Sequence, residues 1–140
     1  MTFFQSIPYK LGSTLHKSNT DIEYIKTLKN DTEFYRSDKY SEVYLFGKSF
    51  ESVCYLWFKE NVLIRIEYRI HNKYFTLFLN SINAELQQGN KLTKDPFVNH
   101  RSYFTSLGNL AIGLDEITKD YFMLRYWLPK EFNTSVTIKK

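Results

Sequence analysis

Residues 62–71, VLIRIEYRIH, alternate in character for their whole length: Val62, Ile64, Ile66, Tyr68 and Ile70 fall on one side of an extended chain, and Leu63, Arg65, Glu67, Arg69 and His71 on the other. A period of two sustained over ten residues describes a strand with one buried face and one polar face. Such a strand belongs in an antiparallel sheet, because parallel strands are covered on both sides and read as continuous apolar runs.

The neighbouring segments are read around that strand. Residues 40–46 carry Tyr40, Val43, Tyr44, Leu45 and Phe46 and read as a strand, with a turn at Gly47-Lys48. Residues 50–59 read as a second strand, so 40–71 is expected to be a three-stranded meander. The register of the 50–71 hairpin has two solutions. A two-residue Glu60-Asn61 turn pairs Trp57 with Ile64. A three-residue Lys59-Glu60-Asn61 turn, with Asn61 left-handed, sets Leu56 opposite Ile64 and Cys54 opposite Ile66. The second is preferred, because it gathers Phe50, Cys54, Leu56 and Phe58 with the isoleucines and leaves Tyr55 and Trp57 with Arg65, Glu67 and Arg69. A slip of one residue exchanges the faces, so the function argument depends on this choice.

Two helices are expected. Thr20-Asp21-Ile22-Glu23 matches a capping box, with Ile22, Ile25 and Leu28 at helical spacing and Asn30-Asp31 as the stop, giving a helix over 21–29. Phe75, Phe78, Leu79, Ile82 and Leu86 form an apolar stripe, with Asn72 to cap the helix and Gly89 to close it. Beyond a polar loop over 90–100, strands are expected at 109–114 and 121–128, joined by a 115–120 turn, with Tyr103 and Phe104 adding a short strand before them. Residues 3–12 read as a short strand or arm broken by Pro8 and Gly12, and 136–138 as a weak final strand or tail. The expected fold is α+β: an antiparallel sheet of about five to six strands with two helices packed on one face, in the order α-β-β-β-α-β-β.

A chain of 140 residues fits one domain spanning 1–140. Its net charge of +4 is a mild excess, with Lys139 and Lys140 contributing at the tail, and it permits an acidic partner without requiring nucleic acid. Cys54 is the single cysteine, which excludes an internal disulfide and fits a reducing compartment. The first residues lack the basic and apolar regions of a signal peptide, and no apolar run is long enough for a membrane helix. The expected location is the cytoplasm, with no membrane partner.

Sites of chemistry are sparse. His16, His71 and His100 show no metal-binding spacing, so no metal and no cofactor is expected. Cys54 with His71 as its base is the one thiol arrangement available, but the preferred register puts the two on opposite faces, and a strand cysteine is ordinarily a small core residue. Asp115 and Glu116 read as a solvated hairpin loop, and Asp95 and Asp120 stand singly. Neither a glycine-rich phosphate loop nor a GxSxG elbow occurs. No catalytic residue is therefore assigned, and the protein is expected not to be an enzyme.

What remains is an unusual sheet face. The chain holds 12 Phe, 11 Tyr and 2 Trp, more rings than a small core needs. If Phe122, Leu124, Tyr126 and Leu128 face inward, Met123, Arg125 and Trp127 join the polar side. The candidate partner-binding residues are then Tyr55, Trp57, Arg65, Glu67, Arg69, Arg125 and Trp127, and Trp, Tyr and Arg are the types that dominate protein–protein contacts. The expected function is a non-catalytic protein-binding module, in concrete form a small cytoplasmic inhibitor such as the immunity protein of a bacterial toxin. It would act by covering an acidic site on its partner. The alternative is a single-stranded nucleic-acid-binding protein that stacks bases on the same rings. Against that alternative, the basic residues are interleaved with acids, as in Arg65-Ile66-Glu67. A competing reading of the face itself is a second core, covered by the N-terminal arm or the 90–104 loop.

Overall fold

The structure is a computed structural model and describes residues 11–14, 22–37 and 42–129. The chain builds mostly sheet. In order come β1 (Ile22–Thr27), β2 (Thr32–Ser37), β3 (Glu42–Leu45), β4 (Lys48–Glu51), β5 (Val53–Lys59) and β6 (Val62–His71). Among the described residues one α-helix, α1 (Phe75–Glu85), lies whole; it follows β6, and then come β7 (Thr93–Lys94), β8 (Ser102–Leu107), β9 (Leu110–Glu116) and β10 (Tyr121–Trp127). Eight strands make one sheet in the order β1-β2-β5-β6-β10-β9-β8-β7, antiparallel at every pairing, while β3 and β4 form a separate hairpin.

This overturns the expected fold of five to six strands under two helices. The segment expected to be a helix over 21–29 is β1, paired with β2 from Ile22↔Ser37 to Thr27↔Glu33. The helical spacing of Ile22, Ile25 and Leu28 covers barely two turns, too short to hold a helix alone. Ile, Tyr and Thr suit a strand, and pairing with β2 decides the matter. Asn30-Asp31, read as a helix stop, belongs to the turn between the strands, where Asp31 is left-handed (φ 58) and Leu28 N–H donates to Thr32 O at 2.6 Å.

The meander is also different. The neighbour of β5 is β2, from Thr32↔Lys59 to Ser37↔Cys54, not the strand expected at 40–46. The β3–β4 hairpin turns at Phe46-Gly47, both left-handed (φ 54 and 76), one residue earlier than expected, and Tyr40 lies outside the described residues. The hairpin folds over the face of the large sheet that carries Leu56 and Ile66, beside α1. Phe78 of the helix is its contact point: its ring lies 4.9 Å from Phe50, 5.2 Å from Phe46 and 5.3 Å from Phe122 of the sheet.

The helix stripe is as the spacing predicts, with Phe75, Phe78, Ile82 and Leu86 buried and Leu79 packed against the core. Its ends are not. Asn72 begins a short 3-10 turn and sends its side chain to Glu116 at 2.6 Å, while His71 Nδ1 accepts from Lys73 N–H. Arg101 closes that clamp, donating to Glu116 at 2.9 Å and to Asn72 at 3.1 Å. These hydrogen bonds, Asn72 first and then Arg101, hold the Glu116 carboxyl below the usual carboxylate range. At the other end Lys91 Nζ, not Gly89, completes the helix, bonding the Asn83 and Leu86 carbonyls at 2.6 and 3.1 Å. A cation on the last carbonyls suits the helix dipole.

The expected 109–114 and 121–128 strands are β9 and β10, and the short strand at Tyr103-Phe104 is β8, six residues long. Asp115 and Glu116 lie inside β9 rather than in a loop, because that strand runs two residues further than its apolar stretch and pairs through Phe122↔Glu116. Of the expected N-terminal arm, Leu11 packs against the core and Gly12 N–H donates to Leu63 O at 2.7 Å. Residues 3–10 and the weak strand at 136–138 lie outside the described residues.

Phe78 joins helix, hairpin and sheet, and it is fully buried. Replacing it with alanine should cost about 3–5 kcal/mol in urea unfolding. A loss under about 1 kcal/mol would place the centre of the core elsewhere.

Candidate functional site

The face of the large sheet away from α1 is set by the β5–β6 pairing. Glu60 and Asn61 are both left-handed (φ 51 and 66), so the turn is the two-residue one, not the preferred three-residue turn. Lys59 pairs with Val62 and Phe58 with Leu63, and then the ladder skips Ile64, so that Trp57 meets Arg65. The extra residue restores the faces that the preferred register assigned. Cys54 and Leu56 lie with Ile66 and Tyr68, and Tyr55 and Trp57 lie with Arg65 and Glu67. Only the start of β6 departs from the expected alternation: Leu63 enters the core, and Val62 does not.

All seven candidate residues share this face. Tyr55 stands opposite Glu67 and Trp57 opposite Arg65 on one side of β6. Arg125 stands opposite Glu67 and Trp127 opposite Arg65 on the other, and Arg69 lies further along β6 opposite Met123. The Arg65 guanidinium sits between the indoles, 5.3 Å from the Trp57 ring and 5.4 Å from that of Trp127. Cation–π contact of this kind is worth more as the cation loses water. The Trp127 indole reaches over Gly113 of β9, where an added β-carbon would stand 3.5 Å from its Cζ3, an ordinary contact.

Beneath the rings runs a chain of charges. Glu67, 4% exposed, is paired with the Arg65 guanidinium, and its Oε2 lies 3.3 Å from Arg125 Nε. Arg125 also donates to Asp115 at 2.6 Å, and Asp115 meets His100 Nε2 at 2.7 Å. Burial pushes the Arg65 pKa down, and the Glu67 charge opposes that shift. Arg69 stands outside this chain and stacks on Tyr121, 4.8 Å from the ring.

Sequence reasoning missed three members. Phe34 lies opposite Trp57, 4.6 Å ring to ring, and stacks on Tyr55 at 5.5 Å. Residues 32–36, TEFYR, do not alternate in character, so Phe34 had no signal in the sequence. Asp115 and His100 had none, since only the β8–β9–β10 pairing brings them under Arg125. The last part of the 90–104 loop does reach the rim of the face through His100, and a cleft of about 220 Å3 lies between Asp95, Phe104 and Trp127. Among the described residues, neither α1 nor the β3–β4 hairpin covers the face, and Tyr55, Trp57 and Trp127 are half-buried.

The other chemical candidates stay apart. Cys54 is fully buried on the opposite face, opposite Tyr68, while His71 is exposed at the end of β6. Burial pushes the Cys54 thiol up to about 12, partly offset by a hydrogen bond with Tyr68, the reverse of what a nucleophile needs. Among the described residues no cluster of His, Cys, Asp and Glu could hold a metal ion, and no helix is long and apolar enough to cross a membrane. His16 lies outside the described residues. Comparison with protein-family models, curated proteins and solved structures finds no match.

Two outcomes follow from this geometry. Glu67→Gln leaves Arg65 and Arg125 without their shared carboxylate and should cost about 3 kcal/mol, read by denaturant unfolding, whereas a value under about 1 kcal/mol would mark an ordinary surface pair. Cys54 keeps its proton in the folded state to about pH 12, while an ordinary thiol loses it near 9.0. The folded state holds the extra proton across that window, so stability should fall as pH rises through it. Cys54→Ala should flatten part of that fall, the remainder coming from Tyr68 and Tyr126, whose hydroxyls burial also pushes up.

Proposed function

We propose that this protein is a non-catalytic protein-binding module that uses the face built on Trp57, Arg65 and Trp127. The observation that supports this reading is the sandwich of Arg65 between two indoles on a sheet face that neither the helix nor the hairpin covers among the described residues. The rings are held in place by one another and by the charges beneath them, so little side-chain freedom is lost on binding. Fixed aromatic and arginine groups at the centre of a broad surface are the features of a binding hot spot.

The form favoured is a small cytoplasmic inhibitor, such as an immunity protein that neutralises a bacterial toxin by occlusion. A sheet face of this kind suits that mode. The electrostatics narrow the partner. Glu67 and Asp115 already pair with Arg65 and Arg125, which leaves Arg69 as the face arginine with no carboxylate among the described residues. An acidic partner would engage Arg69 directly and would meet the other two arginines only by exchange. The same pairing weighs against single-stranded nucleic acid, whose phosphates would compete with carboxylates already in place.

Affinity purification from the native host, followed by calorimetry with the purified partner, tests the proposal. Trp57→Ala should weaken the complex by about 2 kcal/mol or more at an unchanged fold. Binding that Trp57→Ala leaves intact overturns it. Tight, salt-sensitive binding of single-stranded DNA or RNA that the same variant abolishes favours the nucleic-acid reading instead.

A further inference from the structure

At the end of the sheet where β4 hands over to β5, a cleft of about 300 Å3 opens, lined by Glu51, Ser52, Val53, Arg69, His71 and Tyr121. That volume is at the small end of ligand pockets. Its polar groups are mostly donors. The Arg69 guanidinium lies over Tyr121, its Cζ 4.8 Å from the ring centroid, and its Nε–H is buried with no acceptor among the described residues. A buried donor on a charged group, left without an acceptor, costs stability unless something fills the place. The His71 Nδ1 accepts from Lys73 N–H at 3.1 Å, which leaves the proton on Nε2. Among the described residues Ser52, 6% exposed, donates a long 3.4 Å bond to Val53 O, from which it can turn toward a better acceptor. Val53 and the Tyr121 ring supply the apolar wall. Glu51, itself exposed, is the one opposing charge on the lining among the described residues.

We propose that this cleft binds a small molecule with an oxyanion head group, a carboxylate or a phosphate, on a body with one apolar edge. The head group takes the Arg69 donors, with His71 Nε2–H and the Ser52 hydroxyl at its sides, and the body lies on Val53 and Tyr121. Arginine suits both head groups, because its planar fork offers two parallel donors to either. The site shares Arg69 with the edge of the partner face but does not depend on the protein-partner reading, whose centre lies at Trp57 and Trp127.

The test is a titration of the isotope-labelled protein with benzoate, phenyl phosphate, inorganic phosphate and benzyl alcohol, followed by nuclear magnetic resonance. Benzoate and phenyl phosphate should move the Arg69 Nε–H signal and the backbone amides of Val53, His71 and Tyr121. Inorganic phosphate should bind more weakly than phenyl phosphate, and benzyl alcohol should leave the Nε–H signal in place. Arg69→Gln should weaken phenyl phosphate by about tenfold or more, and Glu51→Gln should tighten it severalfold by removing the opposing charge. Trp57→Ala should change neither, which separates this site from the partner face. Absent or scattered shifts, equal response to benzyl alcohol, or an affinity unmoved by Arg69→Gln would overturn the proposal. If Arg69→Gln does not fold, an affinity unmoved by Glu51→Gln, an exposed substitution, overturns it equally.

Discussion

The orientation of the central sheet rests on one unpaired residue. The Glu60-Asn61 turn, two residues with positive φ, would by itself bring Trp57 opposite Ile64. Skipping Ile64 sets Trp57 against Arg65 instead, and every pair beyond it follows. Without the skip, β5 and β6 could not both keep their apolar side chains under α1. Either Arg65, Glu67 and Arg69 would turn in toward Phe75 and Phe78, or Tyr55 and Trp57 would replace Cys54 and Leu56 in the core. Three charges forced into an apolar interior is a penalty no local contact could offset. A bulge costs one ladder position and adds local twist, which is the smaller loss.

The charged face is itself a second level of order. Glu67 is almost fully buried, yet two arginines share it, and aromatic rings wall them in. A buried ion pair is seldom more stable than a well-packed apolar substitute. What it favours is geometry: Glu67 holds the Arg65 guanidinium, and the two indoles lie within cation–π reach of it. The face is rigid for the same reason that it is polar.

Sequence patterning reached some of this and missed the rest for identifiable reasons. The period of two in β6 is long enough to set Arg65, Glu67 and Arg69 on one face, and Arg125 and Trp127 fell where alternation put them once Phe122, Leu124 and Tyr126 turned inward. The stripe from Phe75 to Leu86 was equally plain, because three apolar turns admit one interpretation. Residues 22–27 failed because a short segment can satisfy two periods at once, and a capping box at 20–23 tipped the balance toward helix; its partner strand, β2, was decisive and gave no sign of itself from within the segment. Strand order was beyond reach for a related reason. Nothing local in Val43 or Leu45 tells a chain to lift away from the sheet and let β2 pair with β5. The right faces were also obtained through the wrong turn, since a three-residue loop and a two-residue turn with a bulge have the same parity.

The strand order divides the large sheet into two runs of near neighbours. β1, β2, β5 and β6 pair across hairpins or past the short β3–β4 insertion, and β7 to β10 follow one another as a simple meander. Only β6 and β10 join the two, from Tyr121↔His71 to Trp127↔Arg65, and some fifty residues of chain separate them. Each half can search for its own pairings over short loops, but the seam closes a long one, and long closures are slow. The helix that links the halves lies on that seam, with Phe75 and Phe78 against Phe122. By that argument the Arg65–Trp127 contact belongs to the slow closure, and the aromatic face is complete only when the two halves of the chain meet.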